Sequence, residues 1–160
     1  MLQRIQTVFL FLVSLIMVVD VFSPIWINVN SATGESHILY STFYEFIPAF
    51  DEEARITWFP YTIVSITALL AAGIAFYEIF QYRDRLNQMK LGALNSVVMT
   101  ICLGFSVWFS TDGQKTWMSE HTGSYGYGLF LPGAAMILNI IANRFIRRDE
   151  KLVRSVDRIR

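Results

Sequence analysis

Four stretches of this chain approach the roughly 20 apolar residues that a helix needs to cross a bilayer core. They cover about residues 8–26, 58–80, 91–109 and 127–146. The first follows Arg4 and could pass for a secretory signal. Its Val21-Phe22-Ser23 is not a small-x-small cleavage site, however, and Pro24 follows directly, so an uncleaved anchor is expected. Hydrophobic residues make up 54% of the chain and charged ones 16%, against about 25% charged in ordinary soluble domains. That balance excludes a disordered tail and most soluble enzymes, and no global basic charge points to direct DNA binding.

The 13 Lys and Arg residues set the orientation. Arg4 precedes the first span; Arg83, Arg85 and Lys90 lie between the second and third. Arg144, Arg147, Arg148, Lys151, Arg154, Arg158 and Arg160 follow or end the fourth, leaving Arg55 and Lys115 on the other side. Eleven against two places both termini in the cytoplasm. Trp26, Trp58, Trp108 and Trp117 then all fall at or beyond the outer ends of spans, where interfacial anchors belong. The expected fold class is all-α. It is an integral-membrane four-helix bundle, N-in/C-in, forming a single domain over 1–160 with a basic amphipathic C-terminal helix in the tail 147–160.

Lipid tails are as apolar as leucine, so close approach over small residues must help the helices associate. Gly92, Ser96, Thr100 and Gly104 recur at steps of four. Ser65, Ala68, Ala72 and Ala75, and Gly128, Pro132, Ala135, Asn139 and Ala142, recur at three or four. Each stripe is expected to face inward. Pro132 reads as an entry turn with a mild kink.

Asp20 is the one carboxylate well inside an expected span, roughly 9 Å along the helix from Trp26. It reads as a hydrogen-bonded residue near the outer boundary, or alternatively as a proton-coupled site. Glu78 is expected to pair with Arg83 or Arg85. Asn139 and Asn143 share a helical face and are expected to bond across to Asn95 or Thr100, giving registry. In the outer loops, residues 37–46 alternate partially and suggest a short hairpin or interfacial segment. Asp51, Glu52 and Glu53 suit the start of the second span. His37 and His121 lack metal-ligand spacing, and the lone Cys102 sits in an apolar run as a small hydrophobe. No nucleophile elbow, phosphate loop or dinucleotide fingerprint appears, so no catalytic, metal or cofactor site is expected.

The tail is the most informative polar segment. Phe145, Leu152, Val156 and Ile159 recur at near-heptad steps, and Arg147 with Glu150, Glu150 with Arg154, and Arg154 with Asp157 stand at pair-forming separations. Such pairs are worth about 0.2–0.5 kcal/mol each, so a helix here needs a surface to lie against. Anionic lipid is one such surface; a partner protein is the other.

Both ends carry a resemblance. Met1-Leu2-Gln3-Arg4-Ile5-Gln6-Thr7 resembles the opening of the bacterial domain-of-unknown-function family DUF4293, whose members are small four-span membrane proteins. Ala142-Asn143-Arg144, the run Arg148-Asp149-Glu150-Lys151-Leu152-Val153-Arg154-Ser155 and Asp157-Arg158 are similar to its terminal signature, and Tyr127-Gly128-Leu129-Phe130-Leu131-Pro132 also fits. The resemblance implies the membrane class and brings no catalytic or ligand residue. The function expected is a non-enzymatic accessory or scaffold subunit of a bacterial inner-membrane complex. Its contacts would come from Arg147, Arg148, Lys151, Arg154 and Arg158, joined by Gln3 and Arg4. Membrane lipids and another membrane protein are the expected partners, and a homo-oligomer is open. The alternative is a small oligomeric transporter or channel subunit using Asp20 and the Asn139/Asn143 face.

Overall fold

The computed structural model describes residues 2–30, 34–49, 53–117 and 123–157. Four helices carry most of it: α1 (Leu2–Val21), α2 (Thr62–Phe80), α3 (Arg85–Trp117) and α4 (Leu131–Asp157). Five strands join them: β1 (Pro24–Val29), β2 (Ser36–Tyr40), β3 (Tyr44–Ile47), β4 (Arg55–Thr57) and β5 (Ser124–Tyr125). They form one antiparallel sheet in the order β4-β3-β2-β1-β5. The chain is therefore mostly helical but not all-α. Three helices are long and apolar enough to cross a membrane, while the apolar part of the first, Ile5–Val21, is shorter. This is the build of a multi-pass membrane protein.

The first helix stops earlier than its apolar run suggests, and the sequence contains the reason. Pro24 has no N–H and disfavours helical geometry at Ser23, so the helix must end before it. The Ser23 hydroxyl donates back to the Val19 carbonyl at 2.8 Å. Pro24-Ile25-Trp26-Ile27 then enters the sheet, which corrects the expected 8–26 span. It also corrects Trp26, which is fully buried in β1 rather than anchored at an interface. Trp58 and Trp108 do stay more than half exposed.

α1 packs on α2 and α4, and α3 packs on the same two, giving an antiparallel four-helix ring. Its interior is built from steps of three and four. α1 buries Gln6, Leu10, Val13, Met17 and Asp20; α2 buries Val64, Ala68, Ala71, Ala75 and Glu78. α3 buries Gln88, Asn95, Met99, Cys102, Ser106 and Ser110, and α4 buries Ala135, Asn139, Ala142 and Ile146. This is the 3.5-residue seam of closely packed helices. It confirms the inward stripes on α2 and α4 but corrects the one on α3. Steps of four advance about 40° each, so Gly92 to Gly104 sweeps about 120° around the helix. Gly92 is buried, while Thr100 and Gly104 are exposed.

The sheet sits across one end of the bundle and is tied to it by backbone. The hairpin between β2 and β3 turns over the end of α1: Thr42 Oγ1 donates to Val21 O at 2.6 Å, and Ser41 N to Ser23 O at 3.2 Å. Ser65 N in turn donates to Ser41 O at 3.0 Å, linking the hairpin to the first turns of α2. The Thr42 bond satisfies a carbonyl that the end of α1 leaves open, and the Ser65 bond satisfies an N–H near the start of α2. On the other side, Gly126 and Gly128 lie so close to the Pro24 carbonyl that a Cβ at either would overlap it. The chain then makes a 3-10 turn, Tyr127–Phe130, and Pro132 sits in the first turn of α4 as expected.

The hairpin within residues 37–46 is present as β2 and β3. The acidic lead into α2 is not: β4 and a turn intervene, no acidic residue stands in the first turn of α2, and Asp51 and Glu52 lie outside the described residues.

Candidate partner-docking surface

α4 runs unbroken from the sheet end past the bundle, about 40 Å in all at 1.5 Å per residue. The tail is thus an extension of the fourth helix rather than a separate one. Two of its three acids turn toward α3, where Arg85 meets Asp149 at 3.1 Å and Glu150 at 4.0 Å. Its bases do the opposite. Arg147, Arg148 and Lys151 are exposed and form no ion pair among the described residues. Glu150 thus reaches a base on a neighbouring helix, and the side chain of Arg154, its expected i+4 partner, lies outside the described residues.

This segregation was only half visible in the sequence. Arg85 carries no motif; the signal that could have found it is the acidic Asp149-Glu150 pair inside an otherwise basic run. At the clamp lies a cleft of about 550 Å³ lined by Tyr82, Arg83, Asp84, Leu86 and Val153 together with Arg85 and Glu150 themselves. Leu86 is about half exposed there, and Leu152 is about half exposed elsewhere on α4. Apolar side chains next to Arg, beyond the bundle, are the composition of a protein interface. The backbone places position 154 on the stripe of 147 and 151, but the side chains of Gln3, Arg4 and Arg154, and Arg158 entirely, lie outside the described residues.

The intramembrane polar residues fall into layers. Asp20 is 1% exposed, and Cys102 reaches across the ring to it, its Sγ at 3.9 Å from Oδ2 and 3.7 Å from Val64 O. Fourteen residues on, about 21 Å along each helix, the same three helices place Gln6, Glu78 and Gln88. Gln88 Nε2 donates to Glu78 O at 3.2 Å. Glu78 itself is fully buried and neither carboxyl oxygen has a partner among the described residues, which corrects its expected pairing with Arg83 or Arg85. An unpartnered buried group costs stability, so Glu78→Met, of similar volume, should raise the thermal stability of the detergent-solubilised chain by about 1–3 kcal/mol. A lower melting temperature would mean that the carboxyl meets a partner in the bilayer.

Asn139 is fully buried and donates to Gly92 O at 2.7 Å and Ser96 Oγ at 2.9 Å. It fixes α4 against α3, though through Gly92 and Ser96 rather than the expected Asn95 or Thr100. Asn143 lies one turn on, against Gly92, where a Cβ would overlap its amide.

On the sheet, His37 Nδ1 pairs with the Tyr44 hydroxyl at 2.6 Å, and its ring stands 4.9 Å from that of Phe46. His121 lies outside the described residues. Burial holds the His37 imidazole below its ordinary 6.5, with Glu35 pulling weakly the other way, and pushes Tyr44 up to about 12. The unfolded chain thus takes up the His37 proton first as pH falls through 6.5. Stability from neutral His37 is complete above that pH and lost below it. Acidification should lower the melting temperature of the wild-type chain more than that of His37→Gln; equal pH slopes would contradict this.

A family model described as Domain of unknown function (DUF4293) matches residues 2–159. No curated protein matches the chain.

Proposed function

We propose that this chain, which belongs to the DUF4293 family, is a non-enzymatic integral component of the bacterial inner membrane. It is an accessory or scaffold subunit, with both termini in the cytoplasm, that docks a larger complex through the charged end of α4. The observation that carries this reading is the division of charge on that helix. Asp149 and Glu150 are held by Arg85, while Arg147, Arg148 and Lys151 are left exposed. Anchoring on anionic lipid needs only the bases; exposed Leu86 and Leu152 beyond the bundle suit a protein partner with an acidic, partly apolar surface.

Isolation in mild detergent at native expression level, with mass photometry and mass spectrometry, tests it. A stoichiometric foreign subunit supports the reading and identifies the pathway. A homogeneous homo-oligomer with no other subunit removes it. The second reading, a transporter or channel subunit, is favoured by the buried, partly unpartnered carboxylates Asp20 and Glu78 at opposite ends of the ring. Leu10, Val13, Ala71 and Met99 close the interior between them. On that reading Asp20→Asn abolishes proton- or cation-coupled flux in reconstituted vesicles, and full retained flux excludes Asp20 as carrier.

A further inference from the structure

A second groove, of about 460 Å³, lies between α3 and α4 on the outside of the bundle, distinct from the cleft beside the tail. Its lining is graded along the helix axis. Ala93, Ser96 and Ile140 line it on the side toward the bundle centre, and Asn143, Arg144 and Arg147 line it toward the charged end. Arg144 and Arg147 stand one turn apart, are exposed, and form no ion pair among the described residues. Asn143 Oδ1 is buried there and has no hydrogen-bond partner among them. Further along, toward the sheet, Val97 and Ile137 continue the apolar surface at more than half exposure.

We infer that this groove binds one anionic phospholipid of the cytoplasmic leaflet. The charged end of α4 is at headgroup depth when α3 and α4 span the bilayer, because the exposed Lys90 on α3 and Arg144 on α4 mark where charged side chains begin at that end. Two guanidiniums one helical turn apart present several N–H donors to a phosphate, and arginine pairs with phosphate at two points at once. Ile140 and Ala93, about 6 Å deeper along the helix, receive the acyl chain. A basic pocket between membrane helices on the cytoplasmic side is the chemistry that retains anionic headgroups. A zwitterionic lipid carries the same phosphate, but its own ammonium competes for it. The site goes beyond the docking reading and shares only Arg147 with it.

The test therefore uses Arg144→Gln and Ala93→Trp, neither of which touches the docking residues. The full chain is taken up in nanodiscs containing phosphatidylglycerol and phosphatidylcholine, released into mild detergent, and weighed by native mass spectrometry. One phosphatidylglycerol per chain is expected on the wild type. Arg144→Gln removes one charge-assisted contact and Ala93→Trp fills the groove, and each is expected to lower retention about tenfold or more. An unchanged melting temperature shows that the variants are folded. Equal retention of both lipids by the wild type, or full retention by both variants, overturns the site. Loss of lipid with the protein partner still bound separates this site from tail docking, and the converse result does the same.

Discussion

Trp26→Ala is expected to cost about 3–5 kcal/mol, the range for emptying the space of a buried aromatic ring. Trp26 is fully buried on β1, paired with Leu39 of β2 and Tyr125 of β5. Gly123 lies against its indole so closely that a Cβ there would overlap the ring. Removing the ring takes the support from both neighbours of the central connection at once. Because the sheet is tied to α1 and α2 through Ser41 and Thr42, part of the loss should spread into the bundle. Thermal unfolding in detergent measures the total, and amide exchange in β1, β2 and β5 locates it. A loss below about 1 kcal/mol would mean that the sheet is not packed around Trp26.

Joint replacement of Arg147, Arg148, Lys151, Arg154 and Arg158 by alanine is the second large effect. Exposed ion pairs contribute about 0.2–1 kcal/mol each, so any single substitution should change partner affinity only a few-fold. The five together are expected to lower it by at least about tenfold. Insertion should be unchanged, since the apolar helices and the bases Arg4, Arg83, Arg85, Lys90 and Arg144 remain. Quantitative mass spectrometry of the isolated assembly, normalised to inserted chain, reads both. Undiminished partner in the quintuple variant would remove the tail as the docking element.

The helices were legible because lipid demands a long apolar run, and α2, α3 and α4 supply one. The sheet was hidden by the same logic. Pro24-Ile25-Trp26-Ile27 is apolar because it is buried in a sheet, and composition alone reads it as the end of a span. Only Pro24 marked the break. β5 has two residues, too few for any periodic signal, and it exists because Gly126 lets the chain come close to β1. Among the polar residues, Asn139 was recognisable as a packing residue, but its acceptors are set by the rotation of α3, which steps of four misjudge. Asp20 meets Cys102 across the centre of the ring, and Arg85 on α3 takes Asp149 and Glu150 on the neighbouring α4. Neither partner lies within reach along the chain, so no local spacing could have shown them.

The outward face of α4 as the point of contact is the centre of the functional account. Its most direct test is a photo-crosslinking amino acid placed singly at positions 148, 151 and 107 in living cells. Arg148 and Lys151 are on the basic face, whereas Val107 is exposed on the lipid-facing side of α3 toward the sheet. One dominant protein is expected, crosslinked from 148 and 151 and absent from 107. Crosslinks to lipid alone from 148 and 151, with no protein captured, would contradict it.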